Sequence, residues 1–353
     1  SVFAPLGDEM FPADGSVVIT VLTVLLSLVA ASLLALWQLP FVLDAVSSLR
    51  PRPREKEGGP PFPPLVPITM RDFLAALVTP DAPFFLLDLS RRHGPIFRMS
   101  FGGGCGTVIV SDSQLARQVL DCPSVVKPKR SYRGFDRMVG SEGESSFTSN
   151  GVRHKHVRKS MAPVFRGDNV ERMKVTIKRV LDEFVEEKLD PMARSGEALD
   201  IDLAMQLITG RVIFRAGFGY ELREDQMYEL FLSLNHLLLE NIRGVPSNPL
   251  RAIFPSLFPG SRKAKKATRD IRSLCQRMLS SYRSNADRPR DSLMAAISSD
   301  EAYASDEERI TDIFLLLLGG FDTTAHTLAW ALLELARNAE EQQRLYDNLL
   351  HLR

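Results

Sequence analysis

Cysteine is scarce in this chain: three residues in 353, Cys105, Cys122 and Cys275. So small and odd a number excludes a disulfide framework and suits a reducing compartment. Excess charge is lacking too. Forty-four basic residues against 43 acidic ones leave +1, which gives no electrostatic reason to expect a nucleic-acid partner. No internal repeat is present. Two stretches are almost free of charge: residues 15–43 carry none, and between Asp312 and Glu334 the only formal charge is Asp322. The rest of the composition is globular, 44% hydrophobic and 25% charged, in a length that makes one large domain or two ordinary ones. The chain opens on Ser1 rather than Met, as a processed chain or a fragment would.

Within the first uncharged stretch, Val17–Trp37 offers 21 predominantly apolar residues, enough to span a bilayer and too many for a signal-peptide core. Acids precede it (Asp8, Glu9, Asp14) and basic residues follow (Arg50, Arg52, Arg54, Lys56). The positive-inside rule then puts everything downstream on the cytosolic side. The expected division is a short non-cytosolic N-terminus over 1–15, a transmembrane anchor over 16–43 and a proline-rich linker over 44–69. Seven prolines between Pro51 and Pro67 make that linker an extended spacer.

The second stretch, Thr311–Ala339, has no proline and is apolar on nearly every face. As a helix it would run roughly 44 Å, either buried in a large core or crossing a bilayer. Its middle is unusual. The pair Gly319-Gly320 costs about 1 kcal/mol per residue relative to Ala, and Asp322-Thr323-Thr324 follows it. Missing side chains let something large lie against the backbone, and an acid beside an alcohol in a dry place can move a proton.

Elsewhere the chain reads as helices interrupted once. Gly94-Pro95 ends a helix over 73–89, and Ile96–Ser100 and Thr107–Val110 read as two short strands across the glycine turn 102–106. Cys105 in that turn reads as part of a hairpin and not as a ligand. A helix is expected to start near Ser149 or Asn150, both good caps, and to stop around Pro163. It places His154 and Arg158 on one face, amid Arg153, Lys155, His156 and Lys159. From 170 to 305 helices are expected throughout, with an apolar loop at Ile253–Gly260 beside Arg262, Lys263, Lys265 and Lys266.

Gly319-Gly320-Phe321-Asp322-Thr323-Thr324 fits the pattern (Ala or Gly)-Gly-x-(Asp or Glu)-Thr-(Thr or Ser), and Leu328-Ala329-Trp330 continues it. These residues resemble the long distal helix of the cytochrome P-450 family. Gly151, Arg158, Pro163 and Phe165 sit at the offsets of that family's G-x-x-W-x-x-x-R segment, with His154 in place of its Trp. The resemblance covers roughly residues 60–353. It implies a mainly α fold with a small β-sheet, a cytochrome P-450-like domain over 70–353 that is C-terminally truncated, and an N-terminal transmembrane helix.

The implied activity is that of a haem-dependent monooxygenase, which inserts one atom of O2 into a hydrophobic organic substrate. The implied cofactor is haem b, with O2 as co-substrate. The implied roles are Asp322 relaying protons and Thr323 hydrogen-bonding dioxygen, Gly319 and Gly320 leaving room for O2 and substrate above the haem, Thr324 as a further cofactor-binding residue, and Arg158 with His154 fixing a haem propionate. An NADPH-dependent flavoprotein reductase would supply electrons at a membrane, the endoplasmic reticulum, with the domain facing the cytosol.

The family's buried E-x-x-R and its Cys loop lie beyond its distal helix, and no cysteine here matches the axial ligand. Glu334–Arg337 and Glu341–Arg344 have E-x-x-R spacing but read as surface ion pairs. The 353 residues alone are therefore expected to be inactive. The other reading left open is a non-catalytic, membrane-tethered helical relative or binding module without haem.

Overall fold

The computed structural model describes residues 62–353 except 67, 69–71, 73–75, 77–81, 100–106, 141–144, 246–247, 249, 300, 302 and 352–353. The expected anchor, most of the linker, Cys105 and the glycine turn lie outside the described residues. What is described falls into two compact units divided after Cys122.

The first unit is a small sheet with helices. Strand β1 (Leu65–Val66) pairs in parallel with β2 (Ile96–Met99), which pairs antiparallel with β3 (Thr107–Val110). Helix α1 (Ala82–His93) ends at Gly94, whose φ of 92° suits glycine, and leads directly into β2. The alternation in β2 buries Phe97 and Met99 on one face, where Val66 and Leu89 close a compact apolar cluster. β1 falls inside the proline-rich stretch. As an edge strand it tolerates the flanking Pro63 and Pro64, because only one side must donate to a ladder. Helix α2 (Ser113–Asp121) follows β3, capped by the Asp112 carboxylate on the N–H groups of Gln114 and Leu115.

The second unit is helical among its described residues. In order come α3 (Lys129–Val139), α4 (Gly151–Met161), α5 (Gly167–Phe184), α6 (Asp190–Ser195), α7 (Ile201–Val212), α8 (Glu224–Leu239), α9 (Leu250–Ile253), α10 (Pro259–Ser284), α11 (Leu293–Ser299), α12 (Asp306–Arg337) and α13 (Ala339–Leu350). Three helices widen into π-turns at their C-terminal ends: α5 over Val185–Leu189, α7 over Ile213–Phe218 and α8 over Glu240–Gly244. One contiguous core runs through the unit and includes Phe184, Phe214, Leu234, Met278, Phe314 and Phe321, each almost wholly shielded from solvent. Cys275 is a packing residue in it, and burial pushes its thiol up to about 12.

Helix α12 is the axis of this unit. Ser305 caps it by accepting from the Glu308 N–H, and Asp306, Glu307 and Glu308 in its first turn complement the positive end of its dipole. It passes through Gly319-Gly320 without a break and stops at Asn338, directly after which α13 begins. Its close neighbour is α7, joined to it where the buried Thr209 hydroxyl donates to the Phe321 carbonyl at 3.2 Å. Among the described residues α12 is the one helix long and apolar enough to cross a membrane. Its first half, however, is wrapped by protein.

Candidate functional site

Two groups of sequence-predicted residues occupy different elements of the second unit. The first is on α12. Asp322 is half-buried, and burial pushes its carboxyl up from the ordinary value, His326 holds it down, and Asp202 pushes it up again. Thr323 and Thr324 both turn back on their own helix, donating to Gly319 O at 2.9 Å and Gly320 O at 3.5 Å. This back-bonding satisfies each hydroxyl hydrogen locally while leaving the oxygen lone pairs outward.

The two glycines differ. A Cβ on Gly319 would meet nothing within 4 Å, whereas one on Gly320 would lie 2.7 Å from Ile213 Cδ1. Only Gly319 therefore faces open space. Gly320 is small because Ile213, in the π-turn after α7, packs directly on the helix backbone.

The acid is not isolated, as the sequence alone suggested. His326 places Nδ1 3.5 Å from Asp322 Oδ1 and Nε2 3.5 Å from Asp202 Oδ1, on the facing α7. The spacing 322–326 was visible in the sequence as one helical turn. Asp202 was not, because it comes from another helix.

The second group is on α4. Asn150 stands at the N-cap but makes no side-chain cap bond. Its amide instead brackets Lys127, accepting from the Lys127 N–H and donating to the Lys127 carbonyl, both at 3.0 Å. Lys127 Nζ in turn donates to Phe147 O at 2.7 Å and Ser149 O at 3.1 Å. The segment leading into α4 is thereby stitched down from one side.

From the other side it is held by α12. The fully buried Asp312 accepts from the Ser146 N–H at 2.8 Å and from the Tyr303 hydroxyl at 2.8 Å. Burial pushes the Asp312 carboxyl up, against these bonds and the Arg153 charge. Arg153 closes the arrangement with Glu308 at 2.7 Å. Sequence reading missed this network, because an Asp at a helix start looks like ordinary dipole compensation.

The consequence is a fixed cationic corner. Burial, then the Lys127 and Arg158 charges, hold His154 below its ordinary value, and burial and Arg158 do the same to Lys127. His154 is half-buried and Arg158 exposed, with no side-chain hydrogen bond or ion pair for Arg158 among the described residues. An exposed guanidinium fork with no side-chain partner among the described residues, beside the Lys127 ammonium, suits a carboxylate-bearing ligand, the class to which a haem propionate belongs.

The two E-x-x-R pairs are surface ion pairs, 3.4 Å for Arg337–Glu334 and 2.5 Å for Arg344–Glu341, all four side chains more than half exposed. Among the described residues no cluster of His, Cys, Asp or Glu could hold a metal ion.

The profile of the family described as Cytochrome P450 matches residues 60–353. The chain belongs to the cytochrome P450 family. Steroid 21-hydroxylase of Homo sapiens is 26% identical over 312 residues, covering 82% of this chain and 60% of that protein. Abscisic acid 8'-hydroxylase 1 of Arabidopsis thaliana is 23% identical over 279 residues, 78% of this chain and 55% of its own. Cytochrome P450 71B3 of the same plant is 24% identical over 343 residues, 90% of this chain and 66% of its own. The chain thus spans about 60% of the length of the first of these P450 relatives.

Proposed function

We propose that this chain carries the proton-delivery and propionate-binding half of a haem-dependent monooxygenase that puts one atom of O2 into a hydrophobic organic substrate. The observation that carries the reading is the half-buried Asp322, its carboxyl raised by burial, directly before Thr323 on the axial helix of a P450-family unit. A carboxyl raised by burial holds a proton more readily than an exposed one, which suits a proton carrier. When bound, haem b supplies the activation of O2, a chemistry no side chain offers.

The chain's own residues do the rest. Arg158, with His154, binds and orients a propionate, and the Lys127–Asn150 and Asp312–Ser146 bonds keep α4 in place for it. Gly319 leaves open space where substrate and O2 would lie, and the core around Phe321 keeps water from the protein side. Asp322 holds a proton at its carboxyl, and Thr323 Oγ1, bonded back to Gly319 O, offers lone pairs to position what the proton must reach. Thr324 supports the same turn.

An NADPH-dependent flavoprotein reductase is the proposed electron donor. The proposed location is the endoplasmic reticulum membrane, with the domain on its cytosolic side and the anchor over 16–43. The exposed Ile253, Phe254 and Leu257 followed by Arg262, Lys263, Lys265 and Lys266 are consistent with membrane contact by the loop before α10.

The test is turnover by the complete, haem-loaded protein with a reductase and NADPH under labelled dioxygen. Product carrying one labelled oxygen atom is expected, and Thr323→Ala should divert most of the reductant to peroxide. Absence of labelled product with every hydrophobic substrate class that perturbs the haem spectrum would leave the haem-free binding module as the better reading. Unchanged coupling in Thr323→Ala would remove that residue's role alone.

A further inference from the structure

We infer that His326 is the proton donor that reloads Asp322, with Asp202 as the carboxylate that steadies the charged ring. The inference rests on the proton-relay reading of Asp322 given above. His326 Nδ1 lies 2.7 Å from the Asp322 carbonyl oxygen. A carbonyl only accepts, so Nδ1 carries a hydrogen. The same nitrogen is 3.5 Å from Asp322 Oδ1, and Nε2 is 3.5 Å from Asp202 Oδ1. A ring with hydrogen on Nδ1 alone would point its Nε2 lone pair at a carboxylate. Protonated on both nitrogens, it keeps Nδ1–H on the Asp322 carbonyl and faces one carboxylate oxygen of each acid at 3.5 Å, an ion-pair distance. Asp202 is itself held, by the Gln206 amide donating to its second oxygen at 2.9 Å.

The geometry has the polarity that delivery needs. His326 has a side-chain exposure of 48% and Asp202 of 53%, against 26% for Asp322. The trio therefore descends from solvent toward the half-dry acid beside Thr323. Ion pairs this exposed add little to stability, so the arrangement is poorly explained as a structural clasp. Burial, which raises the Asp322 carboxyl, makes it an acid able to hold a proton handed to it.

The step itself is a simple transfer. When the Asp322 carboxylate closes from 3.5 Å to hydrogen-bond distance, the Nδ1 proton of the imidazolium shifts from the Asp322 carbonyl to Oδ1, giving a neutral carboxyl and a neutral imidazole that keeps its Nε2 hydrogen toward Asp202. The lone pair left on Nδ1 takes the next proton from water, since the ring is half exposed. No oxidant or second reactant is involved. His326 acts through Asp322 and is a positioning and reloading residue rather than one that touches the reacting atoms.

Two measurements test this. In the 353-residue chain, nitrogen-15 NMR of the imidazoles should show His326 Nδ1 protonated, and the His326 ring shifts should move in both Asp202→Asn and Asp322→Asn while the other histidines stay. In the complete, haem-loaded protein, His326→Gln keeps a hydrogen-bond donor but cannot carry a proton. It should lower product formed per reductant consumed by about 3–10-fold, a modest share of a general-acid effect because water can partly substitute, with haem uptake normal and a larger slowing in heavy water than the wild type. Wild-type coupling in His326→Gln would reduce the ring to a spacer and overturn the inference. Unmoved shifts in the two Asp variants would overturn it too, with the monooxygenase reading untouched. A wild type that makes no product sinks the monooxygenase reading and this one with it.

Discussion

From Ile310 to Phe321, helix α12 buries Ile310, Thr311, Asp312, Ile313, Phe314, Leu317, Leu318 and Phe321. From Leu328 onward the same helix exposes Leu328, Trp330, Leu332 and Leu333. Both halves are apolar, so hydropathy does not separate them. What separates them is the company they keep: α7, α10 and the π-turn after α7 surround the first half. The residues with chemistry, Asp322, Thr323 and His326, sit at the change from one regime to the other.

Two acids on this helix show why that position matters. Asp312 is sealed and satisfied by two donors, whereas Asp322 is half dry and faces titratable partners. A sealed acid with fixed bonds organises structure. A half-dry acid beside a histidine can exchange protons.

The strongest way to break the comparison is to cut the buried half. Phe314 is wholly buried, and Phe314→Ala should cost about 3–5 kcal/mol from lost transfer energy and the cavity left behind. Urea unfolding of the chain reads this directly. A loss below about 1 kcal/mol, the scale of an ordinary substitution, would mean that the first half is not core.

Next in size is Asp312→Ala, which strands the Ser146 N–H and removes the acceptor of the Tyr303 hydroxyl bond. About 1–3 kcal/mol is expected when a shielded donor loses its acceptor. The conservative Asp312→Asn tests the charge instead. Because burial raises the folded-state value, the Asp312 contribution is fully present below the ordinary carboxylate value of 3.8 and is lost as pH rises through the raised one. Acidifying from neutral should therefore stabilise the wild type relative to Asp312→Asn, read as the difference between their melting temperatures. An opposite trend would show that the hydrogen bonds outweigh burial.

The glycine pair sharpens the comparison at the boundary itself. Gly319→Ala gains helix propensity of about 1 kcal/mol with nothing in its way. Gly320→Ala gains the same but must displace Ile213, whose Cδ1 and Cγ1 would lie 2.7 and 2.8 Å from the new methyl. Overpacking of about 1–3 kcal/mol should cancel or reverse the gain. Equal effects at the two positions would contradict the packing described for Ile213.

Much of this was legible in the sequence, for reasons of periodicity and local stops. The axial helix, the Gly94-Pro95 break, strands β2 and β3 and the start of α4 each follow from spacing or a conformationally special residue. Helix α3 was not foreseen: KRSYRGFDRMV carries a mid-helix glycine and five charges, a weak helix sequence held by packing rather than propensity. The π-turns left no mark, because a widened turn depends on what packs against it.

The site was legible where it is contiguous and opaque where it is assembled. Asp322, Thr323, His154 and Arg158 stand in local patterns. Asp202 against His326, Lys127 against Asn150 and Asp312 against Ser146 are brought together only by the fold.

The smallest expected effect tests the exposed half. Trp330 has 62% of its surface in solvent, so Trp330→Ala removes few contacts from the chain as it stands. A change within about 0.5 kcal/mol is expected for such a surface site, although the side chain is larger than that of Phe314. Size and hydropathy alone would rank the two substitutions the other way. Unfolding of the two variants under identical conditions separates the explanations. A Trp330→Ala loss comparable to that of Phe314→Ala would mean that the second half of α12 is buried in solution, by a second copy of this chain if the loss depends on protein concentration.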